Sequence, residues 1–209
     1  ESDYSVIAGG VANLIQTGGW GNTISGGWTN TVGRNNSQAS IGGGNLHSIG
    51  MNANGAAIGG GFSNTIQPWA WYGTIAGGVD NLIGTNSTRS SIGGGDGNVI
   101  GRVNFSSTIS GGNSNSILAR AHMSVVGGGM YNNIQPDAAY ATIGGGQSNA
   151  VSGSYGTVAG GQQNDASGIW TSIGGGRNNS ATGAAAAVGG GWYHTASGDS
   201  ATVGGGFTN

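Results

Sequence analysis

One short motif recurs along the whole chain: an isoleucine or valine, then a small residue, then two glycines. It occurs thirteen times, with the first nine copies 17 residues apart and the last four steps 15 residues long. A fixed short period predicts a stack of similar supersecondary units, because each unit buries its apolar face only against its neighbours. The apolar anchors are Ile7, Ile24, Ile41, Ile58, Ile75, Ile92, Ile109, Val126, Ile143, Val158, Ile173, Val188 and Val203.

The repeat leaves no room for a second kind of domain. We therefore expect a single repeat domain over residues 1–209, with 17-residue coils over 5–151 and 15-residue coils over 152–209. The 49 glycines do not indicate collagen, which needs glycine at every third position and abundant proline, since the chain has two prolines. Periodic apolar anchors and only 6% charged residues also argue against disorder.

Positions within a coil are numbered here from the anchor, position 0. Positions +2 and +3 are glycine in every coil, and position +8 is a second apolar site. Two apolar sites separated by turn residues predict two short strands per coil facing a thin core, whereas repeated glycines disfavour a helix by about 1 kcal/mol each. The predicted fold is an all-β parallel β-solenoid of 13 coils. The +8 residues are Ile15, Val32, Ile49, Ile66, Ile83, Ile100, Ile117, Ile134, Val151, Ala166, Ala181 and Ala196.

Position +6 is asparagine in eleven coils, among them Asn13, Asn30, Asn64 and Asn81. One interpretation, which we favour at this point, is a turn residue that tolerates left-handed backbone. The other is a ladder of side-chain amides in register on successive coils, as in stacked cross-β arrays, and both can hold together. His47 and His194 occupy this position in the remaining two coils, and we expect each to substitute for asparagine.

Self-association is expected from the thinness of the core. Two apolar side chains per coil bury little surface, so contacts with other chains must add to the backbone ladders. The glycine tract is the natural contact, since a strip without side chains lets neighbouring solenoids approach closely. We therefore expect a homotrimer packed around this tract.

Composition and motif spacing argue against several classes of function. The net charge is −2 with five arginines and no lysine, which leaves no basic stripe for nucleic acid. No apolar run is long enough to span a membrane, so we expect no membrane contact by this segment. Acids and histidines are scattered among unrelated repeat positions, and the glycine strings lack the lysine of a phosphate loop. The chain is therefore predicted to be non-enzymatic, with no cofactor and no metal.

Residues Trp69, Trp71 and Tyr72 lie in one long turn and form the candidate partner-binding site. Exposed aromatic side chains stack on sugars or anchor protein interfaces. The alternative, which we favour from the sequence, is that they pack on neighbouring turns or on an adjacent chain. Residues 58–74 (IGGGFSNTIQPWAWYGT) and 126–142 (VGGGMYNNIQPDAAYAT) share Gln-Pro, Ala, Tyr and Thr four coils apart, which indicates duplication of a four-coil block.

The C-terminal coils resemble a known family. Segments 155–168 (YGTVAGGQQNDASG), 170–183 (WTSIGGGRNNSATG) and 200–209 (SATVGGGFTN) are similar to the head repeats of trimeric autotransporter adhesins, within the YadA-like head family and closest to the glycine-triplet heads of Moraxella surface proteins. The resemblance covers the whole chain but is specific only for the 15-residue coils, since the 17-residue coils depart from the family's usual repeat length. It implies a left-handed parallel β-roll of three intertwined chains on the bacterial cell surface, attaching cells to host matrix or receptors.

The leading hypothesis is an extracellular structural and adhesive rod with three classes of partner: itself, a host matrix protein or a glycan. A second hypothesis is a subunit of a self-assembling extracellular filament or a phage tail fibre, associating end to end. A third is an ice-binding solenoid, suggested by the Thr and Ser residues at position −1 of many coils. That file is interrupted by Ala57, Val125 and Ala187, and it lacks the paired threonine ranks of a flat ice-binding face.

Overall fold

The computed structural model describes residues 4–208. The described residues form 25 parallel β-strands of two residues each and no helix. The predicted parallel β-solenoid is therefore confirmed, with about 12 turns at two strands per turn. The handedness implied by the family resemblance stays a prediction, and Asn209, an expected member of the asparagine ladder, lies outside the described residues.

The chain divides into two compact units, residues 1–106 and 107–209. The strands of the first unit are β1 (Val6–Ile7), β2 (Leu14–Ile15), β3 (Thr23–Ile24), β4 (Thr31–Val32), β5 (Ser40–Ile41), β6 (Ser48–Ile49), β7 (Ala57–Ile58), β8 (Thr65–Ile66), β9 (Thr74–Ile75), β10 (Leu82–Ile83), β11 (Ser91–Ile92) and β12 (Val99–Ile100). The strands of the second unit are β13 (Thr108–Ile109), β14 (Ser116–Ile117), β15 (Val125–Val126), β16 (Asn133–Ile134), β17 (Thr142–Ile143), β18 (Ala150–Val151), β19 (Thr157–Val158), β20 (Asp165–Ala166), β21 (Ser172–Ile173), β22 (Ser180–Ala181), β23 (Ala187–Val188), β24 (Thr195–Ala196) and β25 (Thr202–Val203). The prediction of one repeat domain over the whole chain stays a prediction.

Within each unit the odd-numbered strands form one parallel sheet and the even-numbered strands form another. Paired residues are 17 apart through the first unit and up to the pairing of Asn133 with Ala150. They are 15 apart from the pairings of Thr142 with Thr157 and Ala150 with Asp165 onward. The predicted change of period after residue 151 is therefore confirmed as a change of strand register.

Each strand points its first residue outward and its second residue into the core. The second residue is a branched aliphatic in most coils, which suits the crowded interior of a parallel sheet. The anchors from Ile24 through Ile143 are all buried, as predicted. Ile7, at 43% exposure, and the half-buried Val203 are not fully covered, because β1 pairs only with β3 and β25 only with β23.

A third ladder, which the sequence pattern did not predict, follows position +4. Residues there form isolated parallel bridges to their counterparts in adjacent coils, and most of them bridge to both the preceding and the following coil. Bridging residues are Val11, Trp28, Asn45, Phe62, Val79 and Asp96 in the first unit and Asn113, Met130, Gln147, Gln162, Arg177, Trp192 and Phe207 in the second. Their residue types vary widely, so no periodic apolar signal marked this side of the coil.

The glycine at position +3 is required by the chain's own packing. Gly78, for example, has φ of 92°, which side-chain-bearing residues rarely adopt. A Cβ atom on Gly78 would also overlap the carbonyl oxygen of Gly95 on the next coil. Crowding between coils therefore explains why the residue at position +3 is glycine.

Candidate functional site

The asparagines at position +6 form a buried ladder inside each unit. In the first unit, Asn64 Oδ1 accepts hydrogen bonds from the backbone nitrogen and from Nδ2 of Asn81, both at 3.0 Å. Nδ2 of Asn64 donates to the carbonyl oxygens of Gly60 (3.0 Å) and Gly78 (2.9 Å). Each amide thus ties its own turn to the next coil, so its polar atoms are satisfied although they are buried.

The favoured turn interpretation of these asparagines is wrong. The left-handed residue is the one before, at position +5, such as Ser63 with φ of 58° and Asp80 with φ of 51°. Residues of many types take this conformation, because hydrogen bonds between coils fix the backbone there. The asparagine is needed for the reach and the donor-acceptor pair of its amide, which matches the ladder interpretation.

His47 takes the place of asparagine in this ladder, as predicted. Its Nδ1 accepts a hydrogen bond from the backbone nitrogen of Asn64 at 3.1 Å, as the amide oxygen does elsewhere. Nδ1 must therefore be unprotonated, and Nε2 is buried without a hydrogen-bond partner among the described residues. Burial lowers the pKa of His47. The backbone nitrogen of His194 likewise donates to Asn179 Oδ1 at 3.0 Å.

A second buried polar file runs through the long turns and was not predicted. Asn36 Nδ2 donates to the carbonyl oxygens of Gly33 (2.9 Å) and Gly50 (2.7 Å), while its Oδ1 accepts from the backbone nitrogen of Ala53. In the second unit, Ser124 donates from Oγ to the carbonyl oxygen of Ala138 at 3.1 Å. The sequence pattern that could have predicted these buried polar residues is the recurrence of small residues at positions +12 and +15 of the 17-residue coils.

The candidate turn places Trp69, Trp71 and Tyr72 at the surface of the first unit, each well exposed. Trp69 and Trp71 line a groove of about 320 Å³ together with Asn86 and Thr88 from the following coil. Trp71 donates from Nε1 to the carbonyl oxygen of Asn52 at 2.6 Å. The structure therefore brings the two predicted tryptophans to one groove, whereas Tyr72 is not among its lining residues. Their role in binding stays a prediction.

The duplicated turn in the second unit carries different side chains on the same framework. Asp137 stands where the first copy has Trp69, and Ala139 stands where it has Trp71. Asp137 accepts two hydrogen bonds from Arg120, at 2.6 and 2.8 Å, in an exposed ion pair. Hydrogen bonding to Arg120 lowers the pKa of the Asp137 carboxyl.

An aromatic file lies at position −3 of the second unit. The rings of Tyr140 and Tyr155 stack with centroids 4.8 Å apart and an interplanar angle of 1°. Trp170 continues the file, 6.0 Å from Tyr155. The separation of the tyrosines equals about one coil step, so the solenoid itself sets the stacking distance. These exposed rings were not singled out from the sequence.

Glycine at position +2 behaves differently from its neighbour at +3. A Cβ atom on Gly9, Gly26, Gly60, Gly145 or Gly160 would meet no heavy atom within 4 Å. The φ angles of these five residues also lie outside the left-handed region that favours glycine. Neither crowding nor backbone conformation within the chain therefore explains glycine at these five positions. Backbone conformation does favour glycine at the +2 positions of seven other coils, where φ lies between 138° and 155°: Gly43, Gly94, Gly111, Gly128, Gly175, Gly190 and Gly205.

The Thr and Ser residues at position −1 are the outward residues of the odd-numbered strands.

Within residues 4–208 no cluster of three or more His, Cys, Asp or Glu side chains is placed to hold a metal ion. The same residues include no helix long and apolar enough to cross a membrane.

No protein-family model matches the chain, and no curated protein matches it either.

Proposed function

We propose that this chain is a non-enzymatic structural and adhesive segment, displayed at a bacterial cell surface, that self-associates as a homotrimer. The observation that carries this proposal is the open glycine strip at position +2 beside the file at position +4, in which exposed apolar side chains alternate irregularly with polar ones. Trp28 and Phe62 of that file in the first unit, and Trp192 in the second, are exposed. Such side chains beside a bare strip are typical of an interaction surface.

Within each coil, the buried residues that hold the fold together are separate from the side chains exposed on the long turns, and this separation supports an adhesive role. Buried polar atoms at position +6 are used in ladders that hold the coils together. The long turns are held from coil to coil by backbone hydrogen bonds, such as Tyr72 N to Asn54 O at 2.9 Å. Side chains on these turns are therefore free to vary without loss of the framework, which is the arrangement typical of binding loops on a rigid scaffold.

The adhesive part of the proposal is tested by attachment under flow. Beads coated with the purified chain are passed over surfaces coated with fibrillar collagen, fibronectin, mucin or albumin, and the attached beads are counted. We expect attachment to at least one of the first three surfaces well above that on albumin. Attachment no higher than that of albumin-coated beads on every surface would contradict an adhesive function.

A further inference from the structure

The groove at the aromatic turn is a recess between large and small side chains in register. Trp69 and Trp71 occupy positions +11 and +13 of the coil that begins at Ile58, and Asn86 and Thr88 occupy the same positions of the next coil. Short polar side chains beside two indoles leave the space of about 320 Å³. That volume is at the lower end of the range for small-molecule sites, about 300–1,000 Å³.

The walls of this groove are fixed before any ligand arrives. The indole nitrogen of Trp71 is already hydrogen-bonded to the carbonyl oxygen of Asn52 at 2.6 Å. The turn backbones are joined by hydrogen bonds from Asn86 N to Pro68 O (3.1 Å) and from Arg89 N to Trp71 O (2.8 Å). A preorganised wall costs less conformational entropy on binding.

The turn does not need tryptophan to hold its shape, as the duplicated turn demonstrates. The φ angle of Asp137 is 65° and that of Trp69 is 64°, while Tyr140 and Tyr72 have φ of 61° and 56°. The alanine between them is buried in both copies. The same backbone thus forms with aspartate and alanine, so the turn's fold does not account for the two half-exposed tryptophans.

The chemistry of the lining indicates the class of ligand. Two indole side chains offer apolar surface, the Asn86 amide offers a donor and an acceptor, and the Thr88 hydroxyl offers both. No charged side chain is among the lining residues, so an ionic ligand would lose hydration without a counter-charge. A neutral pyranose combines a face of C–H groups with a rim of hydroxyls, which suits this lining. The geometry points to a carbohydrate subsite for one or two neutral pyranose units, an inference that rests on the adhesive function proposed above.

The test is a titration of the purified chain with cellotetraose, chitotetraose, maltotetraose and mannotetraose, followed by tryptophan fluorescence and saturation-transfer NMR. We expect at least one sugar to bind and to receive saturation transfer from indole protons. The double variant Trp69→Asp with Trp71→Ala, which copies the duplicated turn and so should fold, is expected to weaken binding about tenfold or more. Thr88→Val should weaken it as well, and the matched control Trp20→Ala, an exposed tryptophan at position +13 of another coil, should not.

Two results would overturn the subsite. One is the absence of binding by all four sugars at about 10 mM, because a dissociation constant above that concentration is too weak for a functional site. The other is unchanged binding by the double variant, or a fall in its molar mass, which would mean that a second copy of the chain covers the groove. Bead attachment to a sugar-free matrix protein separates the two proposals. If beads carrying the unchanged chain attach to this matrix while the titration shows no sugar binding, the adhesive function stands and the carbohydrate subsite fails.

Discussion

Replacement of Asn149 by alanine should be among the most destabilising single changes to an uncharged residue of this chain. Asn149 joins the last 17-residue step to the first 15-residue step, with hydrogen bonds to Asn132 on one side and Asn164 on the other. Its Nδ2 also donates to the carbonyl oxygens of Gly145 (3.0 Å) and Gly161 (2.9 Å). Alanine keeps the hydrogen bond from its backbone nitrogen to Asn132 Oδ1 but loses every contact made by the asparagine side chain.

The magnitude follows from which groups lose their partners. The buried backbone nitrogen of Asn164 loses its acceptor and the carbonyl of Gly145 loses its donor, whereas Gly161 O keeps the hydrogen bond from Gln147 N. An orphaned buried amide costs about 1–3 kcal/mol and each further lost hydrogen bond about 0.5–1.5 kcal/mol. We expect the free energy of unfolding to fall by about 3–5 kcal/mol.

The assay is urea unfolding followed by circular dichroism, at one protein concentration because self-association shifts apparent stability. The matched control is Gln147→Ala in the same coil, an exposed side chain that accepts only a 3.3 Å hydrogen bond from Gln162. It should change the free energy of unfolding by less than about 0.5 kcal/mol. If Asn149→Ala were as mild as this control, the ladder would not be a main source of stability and the reasoning would be refuted.

Two further predictions concern the same framework. Burial lowers the pKa of His47, so as the pH drops below about 6.5 the unfolded chain binds more protons at this residue than the folded chain does. The free energy of unfolding should therefore decrease as the pH is lowered, by up to about 1.4 kcal/mol per pH unit. The variant His47→Asn should flatten this slope in urea titrations between pH 7 and 5, and an identical slope in both proteins would refute the assignment. Gly146→Ala should lower the thermal unfolding midpoint strongly, since its Cβ would overlap Gly161 O, while Gly145→Ala, whose Cβ meets nothing, should leave the folded chain intact and weaken self-association. Equal unfolding midpoints for the two variants would contradict the distinction between positions +2 and +3.

The sequence was sufficient for the features that repeat. The anchors at 0 and +8 predicted the two sheets, and the change of spacing predicted the change of register after Val151. It was insufficient where the backbone imposes order on varied side chains. The bridges at position +4 join residues as unlike as Trp28 and Asn45, and the left-handed residues at +5 share no type. The role of the asparagine at position +6 was predicted wrongly, because it depends on the distance between coils, which is set only by stacking in three dimensions.

Function was the least predictable part, for a physical reason. Adhesin, filament, tail fibre and ice-binding proteins can all be built on the same solenoid, because the framework is specified by inward residues and the activity by outward ones. The sequence did locate Trp69 and Trp71 as the candidate turn. It did not reveal that Asn86 and Thr88 complete a groove with them, since these residues are adjacent only through the stacking of coils.

The molar mass of the purified chain in solution tests the central claim most directly. One chain has a mass of 20.3 kDa. Sedimentation equilibrium should give about 61 kDa at micromolar concentration, as expected for a homotrimer whose open glycine strips are covered by neighbouring chains. A folded species of 20.3 kDa that stays monomeric as its concentration rises would contradict self-association, and with it the explanation of those +2 glycines, such as Gly60 and Gly145, that neither crowding nor φ requires.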